Sequence, residues 1–153
     1  MNIPEFLRFI DIDADTKRRG QEIWALLAPR ADDLIQAFYA KVCASDISSH
    51  VTEAAIERLK VKQKQHWASL FSSQFDEEYA NSVRRVGIKH RDIALGPTWY
   101  VAGYMALKIA FSETIADSPL PPINKSRLLK ALDKFVALDM ALALSTYDAA
   151  VVD

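Results

Sequence analysis

One cysteine, four glycines and three histidines in 153 residues exclude several kinds of chemistry at once. A lone Cys43 has no partner for an internal disulfide and cannot hold a metal by itself, so it is expected to be a small buried apolar residue. With 19 basic against 20 acidic side chains there is no excess of charge to attract a nucleic acid. No apolar run approaches the roughly 20 residues that span a bilayer. The opening MNIPEFLRFIDID lacks the basic-then-apolar form of a signal peptide. A cytoplasmic protein without a membrane partner is therefore expected. The scarcity of glycine, with six prolines gathered at apparent corners, disfavours many short strands and favours long helices.

What is present is half apolar and a quarter charged, the make-up of one ordinary domain over residues 1–153. A chain of this length buries about 68 to 70% of the surface it exposes when unfolded. Residues 1–12, with Phe6, Leu7, Phe9 and Ile10, read as a short N-terminal segment packing onto the body. Asp13 to Thr16 offers caps for a helix running to Ala28, where Pro29 stops it. Asp32 and Asp33 open the next helix, in which Leu34, Ile35, Phe38, Tyr39 and Val42 fall at helical spacing and put Tyr39 on or beside the buried stripe. After a polar stretch from Ser45 to Thr52 a long helix runs to about Ser72 through Ile56, Leu59, Gln63, His66, Trp67, Leu70 and Phe71. Gln63 shares the Leu59 and His66 face, so its amide is either a structural hydrogen-bonder or a pocket group.

The stretch from Val86 to Tyr104, VGIKHRDIALGPTWYVAGY, organises the rest. Tyr79, Val83, Val86, Gly87 and His90 recur at three or four residues and turn His90 inward, and Gly87, about one turn earlier, lets another backbone or a flat ligand come close. Gly96-Pro97 makes a corner and a helix start, because proline's missing N–H is unbonded in a first turn anyway. Trp99, Tyr100 and Tyr104 then line the opening of a helix that runs to about Asp117, so the imidazole is expected to face a flat aromatic slot. From these residues alone His90 is either a ligand in that slot or a surface or helix-capping histidine. Ser118 to Pro122 is a rigid turn, and the last helix, about Asn124 to Tyr147, is apolar over more than one stripe: Leu128, Leu132, Phe135, Val136, Leu138, Met140, Ala141, Leu142 and Leu144. A helix needs one apolar face for its own core, so the surplus predicts a second packing surface and a homodimer through the last two helices, the alternative being a helix buried on most sides. The chain closes on AAVVD without a capping glycine, as if a longer helix had been cut.

The run His90, Ile93, Leu95, Pro97, Trp99, Tyr100 and Tyr104 resembles the proximal region of the globin-coupled sensor family, with departures at Asp92, where many members carry a basic residue, and Ala94, where many carry glycine. The resemblance extends to Phe38-Tyr39, to IERLKVKQKQHW and to LFSSQFDEEY, nearly the whole chain, and is greatest to the globin domain of bacterial aerotaxis transducers. It implies an all-α globin fold of the sensor type, without a separate D helix and with a short segment before the A helix. It implies a b-type haem with His90 as proximal axial ligand of the iron. Tyr39 then matches the distal tyrosine, Leu59 a distal leucine that limits water entry, and Gln63 a second donor or a tether for Tyr39. Tyr100 matches a tyrosine placed to hydrogen-bond near the proximal histidine, and Phe38 and Trp67 join the haem-binding set. His66 is expected to be partly exposed or structural rather than a sixth iron ligand, and His50 to be a surface residue in its loop.

The function implied is reversible binding of O2 (also CO or NO) in a sensory input domain. The dimer would pass the change to an output module, a chemotaxis transducer, cyclase or kinase not contained in these residues. Two other classes are a stand-alone haem enzyme, such as an NO dioxygenase or a peroxidase, and a haem-free helical interaction domain. The distal tyrosine and glutamine, in place of a histidine–arginine pair, and the lack of a glycine-rich flavin or nicotinamide motif disfavour the enzyme. His90 and Tyr39 together at family spacing disfavour the haem-free module.

Overall fold

Side-chain caps set most of the helix starts in the computed structural model, which describes residues 1–147. Asp13 accepts the Thr16 N–H at 2.9 Å, Thr52 that of Ala55 at 3.2 Å and Asp76 that of Tyr79 at 2.9 Å. The helices they and their neighbours open are α1 (Ile3–Phe9), α2 (Ala14–Leu27), α3 (Ala31–Cys43), α4 (Glu53–Ser72), α5 (Glu77–Asp92), α6 (Pro97–Ala116) and α7 (Pro122–Leu144). Prolines stand in the first turns of α6 and α7, and Pro29 lies in a 3₁₀ turn, Ala28–Arg30, that joins α2 to α3. A second 3₁₀ turn, Asp46–His50, fills the place between α3 and α4 where no separate helix was expected. No strand occurs among the described residues. The closing AAVVD lies outside them.

The apolar periodicities place the core as expected: Ile23, Leu27, Ile35, Leu70, Phe71, Phe111, Leu132 and Phe135 are at most 2% exposed. In the N-terminal segment Ile3 and Ile12 are buried, whereas Phe9, expected to pack, is 85% exposed. Another expectation fails at Cys43, which is exposed; Val42 takes the inward position beside it, and the cysteine falls on the outer face of α3.

α7 packs against α2, α4, α5 and α6, which bury most of its apolar residues. Leu128, Leu132, Phe135, Val136, Leu138 and Leu142 are all nearly inaccessible within one chain. Most of the apolar surplus is thus used inside the monomer, and the outer face of α7 runs through Lys130, Asp133 and Ala137 to the partly exposed Met140, Ala141 and Leu144. No described helix is long and apolar enough to cross a membrane.

Candidate functional site

α3 and α4 pack together, α3 also reaches α6, and α5 lies on α7, whereas α4 and α5 make no extensive packing on each other. Half-buried apolar side chains lie on these elements: Phe38 on α3, Val51 just before α4, Ile56 and Leu59 on α4, and Leu95 at the corner that follows α5. Apolar groups only partly covered by their own chain are what a flat apolar ligand completes. A Cβ built at Gly103 would meet the Phe38 ring at 3.7 Å, so the ring of α3 packs over this glycine of α6.

His90 lies half-buried in the last turn of α5. Its Nδ1 is 2.8 Å from the carbonyl oxygen of Val86, one turn back. A carbonyl only accepts, so Nδ1 carries the proton and Nε2 keeps its lone pair. Burial pushes the imidazole below its ordinary value, against the smaller raising effect of the Val86 bond, and so favours the neutral ring. A neutral imidazole with a fixed tautomer is a metal ligand in waiting. Among the described residues no group of three or more His, Cys, Asp or Glu side chains could hold a bare ion. One histidine suffices only where a macrocycle supplies the other donors, as porphyrin does.

The helix end that carries His90 is closed by a Schellman motif: the Leu95 N–H bonds the His90 carbonyl at 3.0 Å and the Ala94 N–H that of Arg91 at 2.9 Å. Ala94 takes the left-handed conformation this motif requires, with φ of 61°. The departure from glycine noted in the sequence therefore falls on the residue where glycine is favoured sterically. The close approach expected at Gly87 is to a backbone: a Cβ there would come within 2.2 Å of the Ala143 carbonyl of α7. Just beyond, Arg91 donates to the Thr146 carbonyl at 2.9 Å and the Tyr147 hydroxyl to the Leu95 carbonyl at 2.7 Å. The end of α7 is thereby fastened to the corner that follows His90.

Of the three aromatics expected to line the slot, one meets the histidine. The Tyr100 ring stands edge-on to the His90 ring at 5.2 Å, and the Nδ1 proton goes to Val86 rather than to this tyrosine. Trp99 is 45% exposed, because consecutive residues of a helix point about a quarter-turn apart. Tyr104 turns to the interior, 6.0 Å from the Tyr100 ring.

On the other side, Tyr39 is buried in α3 with Phe38 edge-on at 5.2 Å. Desolvation pushes its phenol up to about 12, so it remains a donor at neutral pH. Leu59 and Gln63 are half-buried on α4, one turn apart, and no hydrogen bond joins Gln63 to Tyr39. Trp67 goes elsewhere, into the core, edge-on to Phe111 at 4.5 Å. His50 is more than a surface residue: its Nδ1 donates to the Ile93 carbonyl at 2.8 Å and ties the Asp46–His50 turn to the end of α5.

Sequence reasoning missed Asp139. This carboxylate of α7 is 1% exposed and accepts from the Tyr79 hydroxyl at 2.6 Å, the Tyr104 hydroxyl at 2.5 Å and Nε2 of His66 at 2.9 Å. Burial alone would push its pKa up; the His66 charge and the three hydrogen bonds outweigh that and hold it below the ordinary carboxylate value. In return the carboxylate raises His66 above 6.5 against the effect of burial. His66 is thus structural, its Nε2 proton directed at α7. The signal was present, since Asp139 interrupts the stripe of Leu128, Leu132, Phe135 and Leu142 at the position where an apolar residue belongs.

Two surface clefts, of about 650 Å³ between α2, α3 and α4 and about 320 Å³ beside the α6–α7 turn, include neither His90 nor Tyr39.

Comparison with known proteins bears on the family and the fold. The family model described as Protoglobin matches residues 2–151. The chain is 26% identical over 155 residues to the heme-based aerotactic transducer HemAT of Halobacterium salinarum, a match that takes in 92% of this chain and 31% of that protein. Among solved structures, the globin domain of the Geobacter sulfurreducens globin-coupled sensor superposes with a TM-score of 0.88 at 15% identity, over 96% of this chain and 98% of that one. The ferric and ferrous forms of the globin domain of E. coli DosC give TM-scores of 0.78 and 0.77 at 18% identity, over 93% of this chain and 97% of theirs. At such identities the structural likeness establishes the fold.

Proposed function

Because the chain belongs to the protoglobin family, we propose that it is a haem-based gas-sensing domain that holds a b-type haem between α4 and α5 and reversibly binds O2 there. The observation that carries this reading is the His90–Val86 hydrogen bond, which leaves the lone pair of Nε2 for a ligand, and the half-buried Phe38, Ile56, Leu59 and Leu95 support it as apolar surface for a flat group. Haem, when bound, supplies the ferrous iron on which a diatomic gas is held.

The residues of the chain do the rest. His90 is the proximal ligand, held in one tautomer by Val86 and faced edge-on by Tyr100. The Tyr39 phenol, which stays protonated, would offer a hydrogen bond to a gas bound on the haem and so would favour O2, which draws more charge than CO. Leu59 and Phe38 exclude water, and Gln63 stands one turn from Leu59 as a second donor. The distal side carries no acid–base pair for cleaving an O–O bond, so binding rather than turnover is the role proposed.

The Halobacterium salinarum relative is an aerotactic transducer of which this chain spans 31%, and the sensing role is proposed for the chain as a single input domain. Movement of His90 would reach the end of α7 through Gly87, Arg91 and Tyr147, and from there an output module such as a chemotaxis transducer, cyclase or kinase. A homodimer through α6 and α7 is part of the same reading. Its support is the exposed Val101 and Ile109 of α6 together with the partly exposed Met140 and Leu144 of α7, two helices packed on each other. A cytoplasmic location accords with the gas as a freely diffusing signal.

Rapid mixing of the reduced, purified protein with O2, followed in the Soret region, tests the proposal. A stable oxygenated spectrum that reverses on removal of O2 is expected; immediate oxidation to the ferric form, or no haem, would refute it.

A further inference from the structure

A single buried carboxylate of α7 registers α4, α5 and α6. Asp139 Oδ2 accepts from Tyr104 on α6 and from His66 on α4, and Oδ1 from Tyr79 on α5. Those three donors and the nearby Tyr100 are the titratable groups that face it from the helices packed against α7. From Tyr104 the contacts continue without a break: its ring lies edge-on to Tyr100 at 6.0 Å, and Tyr100 edge-on to His90 at 5.2 Å. From His66 they run along α4, whose Gln63 lies one turn back towards Leu59.

An isolated carboxylate in a core is costly and a well-packed apolar residue at the same place is often as stable or more so, so burial of Asp139 is poorly explained by stability alone. What the carboxylate does that a leucine would not is direct three hydroxyl and imidazole groups to one point. With its hydroxyl held by Asp139, the long axis of the Tyr104 ring is anchored at both ends, and so is the place at which the ring meets Tyr100.

We propose that Asp139 is a positioning residue of the gas pocket: through Tyr104 and Tyr100 it sets the orientation of His90, and through His66 it ties that setting to the helix that carries Leu59 and Gln63. The inference rests on the haem-sensor reading for its consequence and on the hydrogen-bonded cluster for its geometry. Asp139 touches no ligand itself and acts only through its neighbours.

Two conservative variants separate positioning from stability. Tyr104→Phe and Tyr79→Phe each remove one hydrogen bond from the same carboxylate. Only Tyr104 leans on Tyr100, however, whereas the Tyr79 ring packs on Phe75 at 5.5 Å. In the haem-loaded protein, Tyr104→Phe should shift the iron–histidine stretching band and change the O2 dissociation rate by roughly two- to tenfold, the range that an edge-on aromatic contact commands. Tyr79→Phe should leave both at the wild-type values while lowering the unfolding midpoint about as much. Wild-type behaviour of Tyr104→Phe, or equal shifts in the two variants, would overturn the inference. Failure of the wild-type chain to take up haem would refute the sensor reading instead. The positioning is then read in the haem-free protein by NMR, where the ring signals of Tyr100 and His90 should move in Tyr104→Phe and not in Tyr79→Phe, and the reverse would again overturn it.

Discussion

Nε2 of His66 lies 2.9 Å from Oδ2 of Asp139, joining residues 73 apart in the chain. The carboxylate raises the imidazole above 6.5, so between that value and its folded-state value the native protein binds more protons than the unfolded chain. The stabilisation is complete below 6.5 and is lost as pH rises through the folded value. His90, shifted downward, has the opposite dependence, losing stability as pH falls below 6.5. The two are separated by comparison with His66→Gln, which keeps a donor for Asp139 and removes the charge. Urea unfolding over a pH series across 6.5 should show the advantage of the wild type over the variant shrinking as pH rises; a constant difference would mean that the charge contributes nothing.

Tyr39→Phe removes the one phenol on the distal side while keeping its ring. A hydrogen bond to a charged acceptor is worth about 1.5 to 3 kcal/mol, so O2 should leave roughly ten- to a hundredfold faster, with CO little affected. Stopped-flow displacement of O2 by CO measures this. An unchanged rate would move the donor role to Gln63.

Ala94 closes the His90 helix in a left-handed conformation that costs a residue with a Cβ about 1 to 2 kcal/mol, offset in part by the extra backbone entropy glycine loses on folding. Ala94→Gly should therefore stabilise the fold by roughly 1 kcal/mol, read as a higher urea midpoint at unchanged slope.

Gly87→Ala drives a methyl to within 2.2 Å of the Ala143 carbonyl, a backbone atom that cannot turn aside. Overpacking of this kind costs about 1 to 3 kcal/mol, and here it also forces α5 away from α7. Thermal unfolding should show the loss. In the haem-loaded protein the ligand-binding kinetics should change with it, because the displaced turn is the one that carries His90.

Periodicity put Tyr39 on or beside a buried stripe and turned His90 inward, and the structure has Tyr39 buried and His90 half-buried. The pattern also exposed the surplus on α7, but not what covers it: Leu138 and Val136 are buried by α2, α4, α5 and α6 together, a matter of topology that no local pattern contains. Asp139 shows the same limit at one residue. A carboxylate on an apolar stripe is visible in the sequence, while its donors come from 35, 60 and 73 residues away and meet only in the fold. Trp99 and Cys43 were misjudged for a simpler reason: next to a buried residue on a helix the outward position is equally available, and residue type does not decide which of two neighbours takes it.

The central claim is that Nε2 of His90 holds haem iron, and the absorption spectrum of the reduced protein from haem-replete cells, wild type beside His90→Ala, tests it most directly. The wild type should show a Soret band of five-coordinate ferrous haem that converts to a stable oxygenated form, and His90→Ala should purify with little or no haem. A variant that retains haem as well as the wild type, or a wild type that is six-coordinate before any gas is added, would contradict the account.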